Sequence, residues 1–313
     1  MKVLVAGATG ALGKQLVPKL VASGHEVAGM THSASNRDGV RALGAMPVVA
    51  DALEPEQVAQ AVADTEPEVI VHQLTALAGS LDIRHFDRSF ALTNRLRTEG
   101  TDHLLAAGRA VGVRRFVAQS YAGWPFARQG GAVKGEDDPL DPAPVAAMRG
   151  TLDAIRHLED AVTGAAWTEG IVLRYGSFYG PGTSFGPDGE QLEQIRKRRF
   201  PVVGDGAGVW SFIHVEDAAD ATVAAVERGR RGIYNIVDDE PAPVAQWLPA
   251  AAAAVGAKEP RHAPRWIARW LVGEAATVMM TEVRGASNAK AKRELGWAPR
   301  HASWREGFRS VAA

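Results

Sequence analysis

Short apolar runs alternate along this chain with longer stretches whose apolar positions recur every three to four residues. Residues 2–6, 27–30, 47–50, 69–72 and 115–119 have the length and β-branched content of buried strands. Between them, residues 12–23, 37–43, 55–63 and roughly 89–111 carry helical periodicity. A further helix is expected over about 144–162 and a sixth strand over 170–174. Strands that alternate with helices in this way predict an α/β fold with a doubly wound parallel sheet.

The pattern changes after Tyr175. Glycine, proline and aromatic residues crowd 176–189, and short strands mix with helices from there on. This predicts a smaller C-terminal substrate-binding lobe, mainly residues 175–313. Residues 1–174 would form a dinucleotide-binding domain, joined by a later segment near 206–237. The stretch 121–144, rich in Gly, Pro and Asp, is too long for a simple connector and reads as an active-site or substrate loop. No repeat or low-complexity tract is visible apart from the alanine run at 250–254.

The most informative segment is Gly7-Ala8-Thr9-Gly10-Ala11-Leu12-Gly13, which follows the first strand and opens the first helix. Gly7 permits a tight turn, Gly10 lets a pyrophosphate approach the backbone, and Gly13 lets helix and strand pack closely. The helix amino terminus offers free N–H groups and the positive end of its dipole to phosphates. Strand, turn, helix and second strand stand where a Rossmann-like dinucleotide site requires them. A carboxylate at the end of the second strand would hold the ribose hydroxyls of NAD. Thr31 and His32 stand there instead, followed by Ser33 and Arg37. This predicts NADP(H) ahead of NAD(H), since nothing repels a 2′-phosphate and a guanidinium is near enough to meet one.

The spacing Gly-x-x-Gly-x-x-Gly, together with Leu173-Arg174-Tyr175-Gly176, Tyr179-Gly180-Pro181-Gly182, 211–217 and 292–297, resembles the extended and atypical short-chain dehydrogenases/reductases. That group includes the sugar-nucleotide epimerases and dehydratases. The resemblance implies that Thr9, Ala11 and Leu12 join the glycines at the cofactor. It also implies that Asp51 and Ala52 lie near adenine, and that Leu74 and Thr75 belong to a turn wrapping the cofactor. Tyr175, Ser177 and Phe178 would pass the nicotinamide.

The same resemblance implies a Ser or Thr after the fifth strand and a Tyr-x-x-x-Lys pair on the next helix, where the tyrosine exchanges a proton with substrate. The chain departs from that pattern. Tyr121, next to Ser120, aligns with the serine, while Thr151 and Ile155 align with the pair. No Tyr lies between Tyr121 and Tyr175 and no Lys between Lys134 and Lys197. Asn94 stands about one turn from the helix position where the family keeps an asparagine, which holds Arg97. Three readings stay open. A carbonyl reductase (ketoreductase-like) could use another proton donor, with Tyr121 first and Ser120 or Thr151 behind it. A cofactor-binding regulator or interaction module would not turn over. A sugar-nucleotide epimerase or dehydratase, which needs a real base, is the weakest. Persistence of the substrate-lobe signatures favours the reductase.

Aromatic residues favour a flat or apolar substrate, for example a polyketide or aromatic ketone. Trp124, Phe126, Phe185 and Trp210 are the candidates to line its pocket, whereas Trp266 and Trp270, at i and i+4, read as a core-facing helical stripe. His72 reads as a structural histidine, and Glu136-Asp137-Asp138 as a solvated loop. His214, Glu216 and Asp217 are better read as a helix start, with Asp217 near the cap, than as metal ligands, and no metal is expected.

The 313 residues are 46% hydrophobic and 23% charged, with a formal net charge of -1, so no broad basic field exists for nucleic acid or an anionic membrane. Cysteine is absent, which removes disulfides and thiolate chemistry and fits a reducing cytoplasmic location. The first strand begins at once, without a targeting segment ahead of it, and no apolar stretch is long enough to span a bilayer. The expected partner is a small-molecule substrate, with a homodimer compatible but not encoded in any motif. The cofactor preference gives the first prediction: NADPH binds more tightly than NADH in an equilibrium titration, and equal dissociation constants refute it.

Overall fold

The computed structural model describes residues 1–77 and 82–312, with side chains through Arg309. Seven strands form its main sheet: β1 (Lys2–Ala6), β2 (Glu26–Thr31), β3 (Met46–Val49), β4 (Val69–His72), β5 (Arg115–Tyr121), β6 (Glu169–Tyr175) and β7 (Gly232–Ile236). Their order is β3-β2-β1-β4-β5-β6-β7, and every neighbouring pair is parallel. The chain winds outward from β1 to β3, then returns to β4 on the other side of β1. The carboxyl ends of β1 and β4 therefore flank the switch point where ligands enter such sheets.

Both faces of the sheet are covered, as strands without polar alternation require. On one face pack α1 (Ala11–Ala22) and α6 (Val215–Arg228), burying Leu12, Leu16, Val17 and Leu20 against Ala218, Ala221 and Ala225. The short α2 (Arg37–Ala42) joins β2 to β3, and on the other face lie α3 (Pro55–Thr65), α4 (Thr101–Val111) and α5 (Arg149–Gly164), with Val58, Val62, Leu104, Leu158 and Val162 against Ile70 and Phe116. The C-terminal lobe has its own aromatic core, in which Phe185, Phe212, Trp247, Trp304 and Phe308 pack mostly edge to face. The lobe and the sheet share chain segments, since β7 and α6 come after the lobe has begun. Among the described residues no helix is long and apolar enough to cross a membrane.

The helix expected over 89–111 is interrupted. Ala91–Arg95 is α-helical, Leu96–Gly100 is a π turn, and α4 follows. The π turn widens the helix by one residue and places Arg97 in the interior, 5% exposed. The predicted core stripe of Trp266 and Trp270 is a correction. The helix Arg265–Thr281 breaks at Gly273 (φ 89°, ψ 173°). Its first half leaves Trp266 and Trp270 74% and 77% exposed. The acidic loop is a second correction, because Glu136 accepts the backbone N–H of Asn235 at 2.8 Å and burial raises its carboxyl.

Beneath the ends of β5 and β6, Glu159 of α5 is gripped by Arg174 through two bonds of 2.8 and 2.6 Å and accepts the Ser120 hydroxyl at 2.7 Å. Arg97 is held in the interior with Glu159 as its favourable charge, although burial lowers the guanidinium pKa to about 10. Removing the carboxylate would strand two buried cations. Glu159→Ala is therefore expected to cost about 3–5 kcal/mol in chemical denaturation, and a loss below about 1 kcal/mol would refute this role.

His72, at the end of β4, is 1% exposed. Its Nδ1 accepts the Leu74 N–H at 3.2 Å, so the proton sits on Nε2, 3.1 Å from the Thr101 hydroxyl and 3.3 Å from the Leu96 carbonyl. Burial lowers its pKa from 6.5 to about 4. The unfolded chain thus binds more protons in that window, and the stabilisation present above pH 6.5 is lost as pH falls towards 4. The shift corresponds to about 3 kcal/mol. Denaturation midpoints measured across this window should fall more steeply for the natural chain than for His72→Asn; equal slopes would exclude the effect.

Candidate functional site

The cradle at the amino end of α1 is built by close backbone approach. Gly7 has φ +95°, and a Cβ there would lie 2.7 Å from the Gln73 carbonyl oxygen. A Cβ on Gly13 would lie 2.3 Å from the Gly7 carbonyl oxygen. The Cβ position of Gly10 meets nothing nearer than 3.4 Å. Lys14 donates the first helical hydrogen bond, to the Gly10 carbonyl, so the amides of Ala11, Leu12 and Gly13 precede the ladder. No acid stands in the first turn of α1. Free helix amides, close backbone approach and no acid make this an anion cradle, and the residues fit a dinucleotide.

The neighbouring strand ends complete the rim. Thr31 is buried, and its hydroxyl accepts the Ser33 N–H and the Asn36 amide. His32 and Arg37 are exposed and Ser33 half-buried. Asp38 is paired with Arg41, whereas Arg37 has no ion pair among the described residues. Asp51 and Ala52 follow β3. The Asp51 carboxylate accepts the Leu53 N–H, and Ala52 is buried with its carbonyl held by His103. Leu74 and Thr75 follow β4, beside the cradle. The cofactor residues expected from β1 to β4 therefore lie along one edge of the sheet.

The candidates farther along separate. Tyr175 is 1% exposed; its hydroxyl bonds Gln73 and Thr222, and burial raises its phenol pKa, so it braces the core. Phe178 packs against its ring at 5.3 Å. Gln73, which sequence reasoning missed, is buried with its Oε1 unpartnered, on the turn that passes the cradle. Phe126 is 0% exposed under the Arg174 guanidinium, and Phe185 belongs to the lobe core. Both expectations of direct substrate contact are corrected: each ring is consumed by packing.

Tyr121, Trp124 and Trp210 do converge. With Gly123, Ser211, Met279 and Val283 they line a narrow cleft of ≈ 10 Å³, room for one water, between the end of β5 and the helix Arg265–Thr281. No charged side chain lines it. Trp210 is fixed by its indole N–H on the Met279 carbonyl at 2.8 Å, and Trp124 by an edge contact with Phe86.

The three hydroxyls proposed as proton donors differ in what they have left to give. Ser120 donates to Glu159, as above. Thr151 is fully buried and donates to Asp87 at 2.6 Å, while Asn94 donates to the Thr151 oxygen at 3.0 Å. Asp87 also accepts the Gly150 and Thr151 N–H groups and so caps α5 from outside. Ile155, one turn on, is 1% exposed among Phe86, Phe90 and Trp124. Tyr121 differs from both: its hydroxyl and that of Ser177, 2.8 Å apart, share one bond, which leaves one hydrogen of the pair uncommitted. Burial raises the Tyr121 pKa and keeps the phenol neutral.

His214, Asp217 and His301 also come together, with their ligand atoms within 4.8 Å. Both oxygens of Asp217 are engaged within the protein. Asp217 accepts the Arg300 and His301 N–H groups and faces His301 Nδ1, and His214 stacks on His301 at 3.8 Å. His214, rather than Asp217, caps α6, by accepting the Glu216 N–H. The cluster ties the C-terminal segment to α6.

The model of the NAD dependent epimerase/dehydratase family matches residues 3–237. The chain belongs to this family. Among relatives, a 3-diazoavenalumate denitrifying reductase from a Streptomyces species is 47% identical over 309 residues, covering 98% of this chain and 99% of that protein. A ketoreductase of Stigmatella aurantiaca that acts on 4-hydroxy-2-methyl-3-oxo-4-farnesyl-3,4-dihydroquinoline-1-oxide is 28% identical, covering 96% and 92%. The solved UDP-glucose 4-epimerase of Thermus thermophilus, in complex with NAD, has a TM-score of 0.75 at 26% identity and covers 100% of this chain and 98% of its own. The chain is thus an oxidoreductase, an NAD(P)-dependent reductase of the epimerase/dehydratase superfamily. The unpaired Arg37 makes a specific prediction. Arg37→Ala should weaken NADPH binding about tenfold and leave NADH binding within about twofold, as expected for one lost charge-assisted phosphate contact; equal changes for both would remove Arg37 from the site.

Proposed function

We propose that this member of the family is an NADPH-preferring reductase of a small aromatic diazo compound, with loss of dinitrogen. The observation that carries the reading is the state of the site's protons. The dinucleotide cradle is intact, yet Ser120 and Thr151 have given their hydrogens to carboxylates, and Ile155 stands in an apolar cluster. Reducing a ketone develops an alkoxide that must be met by a proton. Reducing a diazo group develops none. Hydride addition to the terminal nitrogen of an aryldiazonium ion forms an N–H bond. The C–N bond then breaks, its electron pair stays on the ring carbon, that carbon takes the same hydrogen as a proton, and dinitrogen leaves. The relative at 47% identity, named for denitrifying reduction of a diazo compound, supports the same substrate class.

A bound reduced nicotinamide supplies the hydride. The chain's own residues hold the substrate. Trp124 and Trp210 would bound a ring once the cleft opens to admit it, and the Tyr121–Ser177 pair would offer one neutral hydrogen bond to a ring oxygen. A second reading, carbonyl reduction with Tyr121 as the donor, is favoured by that spare proton and by the ketoreductase relative. Incubation with NADPH and 2-diazophenol, following dinitrogen by mass spectrometry beside a parallel reaction with 1-tetralone, separates the two. Equal amounts of NADPH consumed and dinitrogen released are expected. Turnover of 1-tetralone alone, abolished by Tyr121→Phe, would replace this reading with the second.

A further inference from the structure

We propose that the surface of the C-terminal lobe around Trp266 and Trp270 docks on an anionic lipid bilayer. The inference is independent of the diazo chemistry. Two separate observations carry it. The first is the helix Arg265–Thr281 ahead of its break at Gly273. Trp266 and Trp270 stand one turn apart, 74% and 77% exposed, with Leu271 beside them 51% exposed. Neither indole N–H has a partner among the described residues. A large ring with an apolar body and a wet N–H suits the headgroup level of a bilayer, and an i, i+4 pair presents both rings on one face. Beyond Gly273 the same helix carries Met279, which lines the cleft, so the exposed face belongs to the element that walls the site.

The second observation is charge. The two-residue strands Val202–Val203 and His262–Ala263 pair in parallel just ahead of that helix. The pairing sets residues 196–199 beside 258–261. The Val202 N–H donates to the Arg261 carbonyl at 2.9 Å, and Arg198 Nε donates to the Glu259 carbonyl at 3.0 Å. These two segments hold six basic side chains and one acid, Glu259. Arg196 and Lys197 share Glu193, but Arg198, Arg199, Lys258 and Arg261 have no ion pair among the described residues. On the helix itself Arg265 and Arg269 pair with Glu282 and Glu274 and add no net charge. The chain's formal net charge of -1 conceals this local excess. Unpaired cations beside exposed tryptophans complement an anionic surface. They oppose a second copy of the chain, because a two-fold contact would set the cations face to face. A bilayer takes in such rings without the matching pocket that an acidic protein would have to supply.

The test sediments the full chain with vesicles of phosphatidylcholine alone and of equal parts phosphatidylcholine and phosphatidylglycerol. Binding to the anionic vesicles is expected to be about a hundredfold tighter, as several basic side chains at a charged surface provide, and to weaken as salt screens it. Brominated lipid in those vesicles should quench tryptophan fluorescence. Trp266→Ser/Trp270→Ser should lose that quenching and about tenfold in affinity, as removal of inserted apolar area requires, while binding NADPH like the natural chain. Met46→Ser, which removes an exposed apolar side chain from the edge strand β3, should change neither. Equal affinity for the two vesicle types, or none for either, overturns the proposal. So does anionic binding that the double variant retains in full. Self-association, or capture of an acidic protein, that the double variant reverses without any vesicle binding assigns the surface to a protein partner and overturns it too. Turnover of 2-diazophenol is unaffected by each of these outcomes, so the proposed function stands or falls separately.

Discussion

A side chain at position 13 would collide with the Gly7 carbonyl oxygen at 2.3 Å. The first turn of α1 therefore rests directly on the turn that leaves β1. Backbone lies against backbone, and the helix amides face outward at the switch point of the sheet. Everything else at the site is placed relative to this contact. Gly7 in turn fits against Gln73 after β4, so the two strand ends that flank the cradle are locked together. The ends of β2 and β3 present Arg37 and Asp51 along the same edge. The cleft begins three strands away from β2, at the end of β5. A cofactor spanning that distance joins a phosphate-binding half to an apolar half.

The apolar half shows how polar groups can be present and still be silent. Glu159 and Asp87 each absorb a hydroxyl hydrogen that the sequence had offered to chemistry. Glu159 does so while balancing Arg174 and Arg97 in the interior, a buried arrangement whose worth lies in keeping every charge paired. Asp87 does so while capping α5. The result is a cleft bordered by the Tyr121–Ser177 hydroxyl pair, with no charged side chain among its described lining residues. On the proposed reading, such a site suits electron-poor acceptors that take hydride directly better than alcohol oxidation, which begins by removing a proton.

What the sequence made readable was local. The glycine turn, the alternation of strands and helices and the missing acid after β2 each depend on residues within a few positions of one another. The long-range partners were not readable. Ser120 meets Glu159, and Thr151 meets Asp87, across large separations in the chain, so their hydrogens looked free. An i, i+4 tryptophan pair identifies a shared helical face but not whether that face meets the core. Gly273 breaks the helix, and Trp266 and Trp270 turn outward. Phe126 and Phe185 looked like pocket residues because an aromatic ring serves a core and a pocket equally well. Trp124 and Trp210 both pack against neighbouring rings and border the cleft. The π turn at Leu96–Gly100 leaves no mark in the apolar period, although it sets the depth of Arg97.

The dependence of the chemistry on proton supply can be read from isotope effects on a single substrate. With 2-diazophenol at saturation, turnover is measured using NADPH and NADPH deuterated at the transferable position, each in light and heavy water. A clear slowing with the deuterated cofactor and none in heavy water is the predicted result, because hydride moves in the limiting step and no enzyme proton does. A comparable slowing in heavy water, with or without an effect of the deuterated cofactor, would contradict hydride transfer that draws on no enzyme proton.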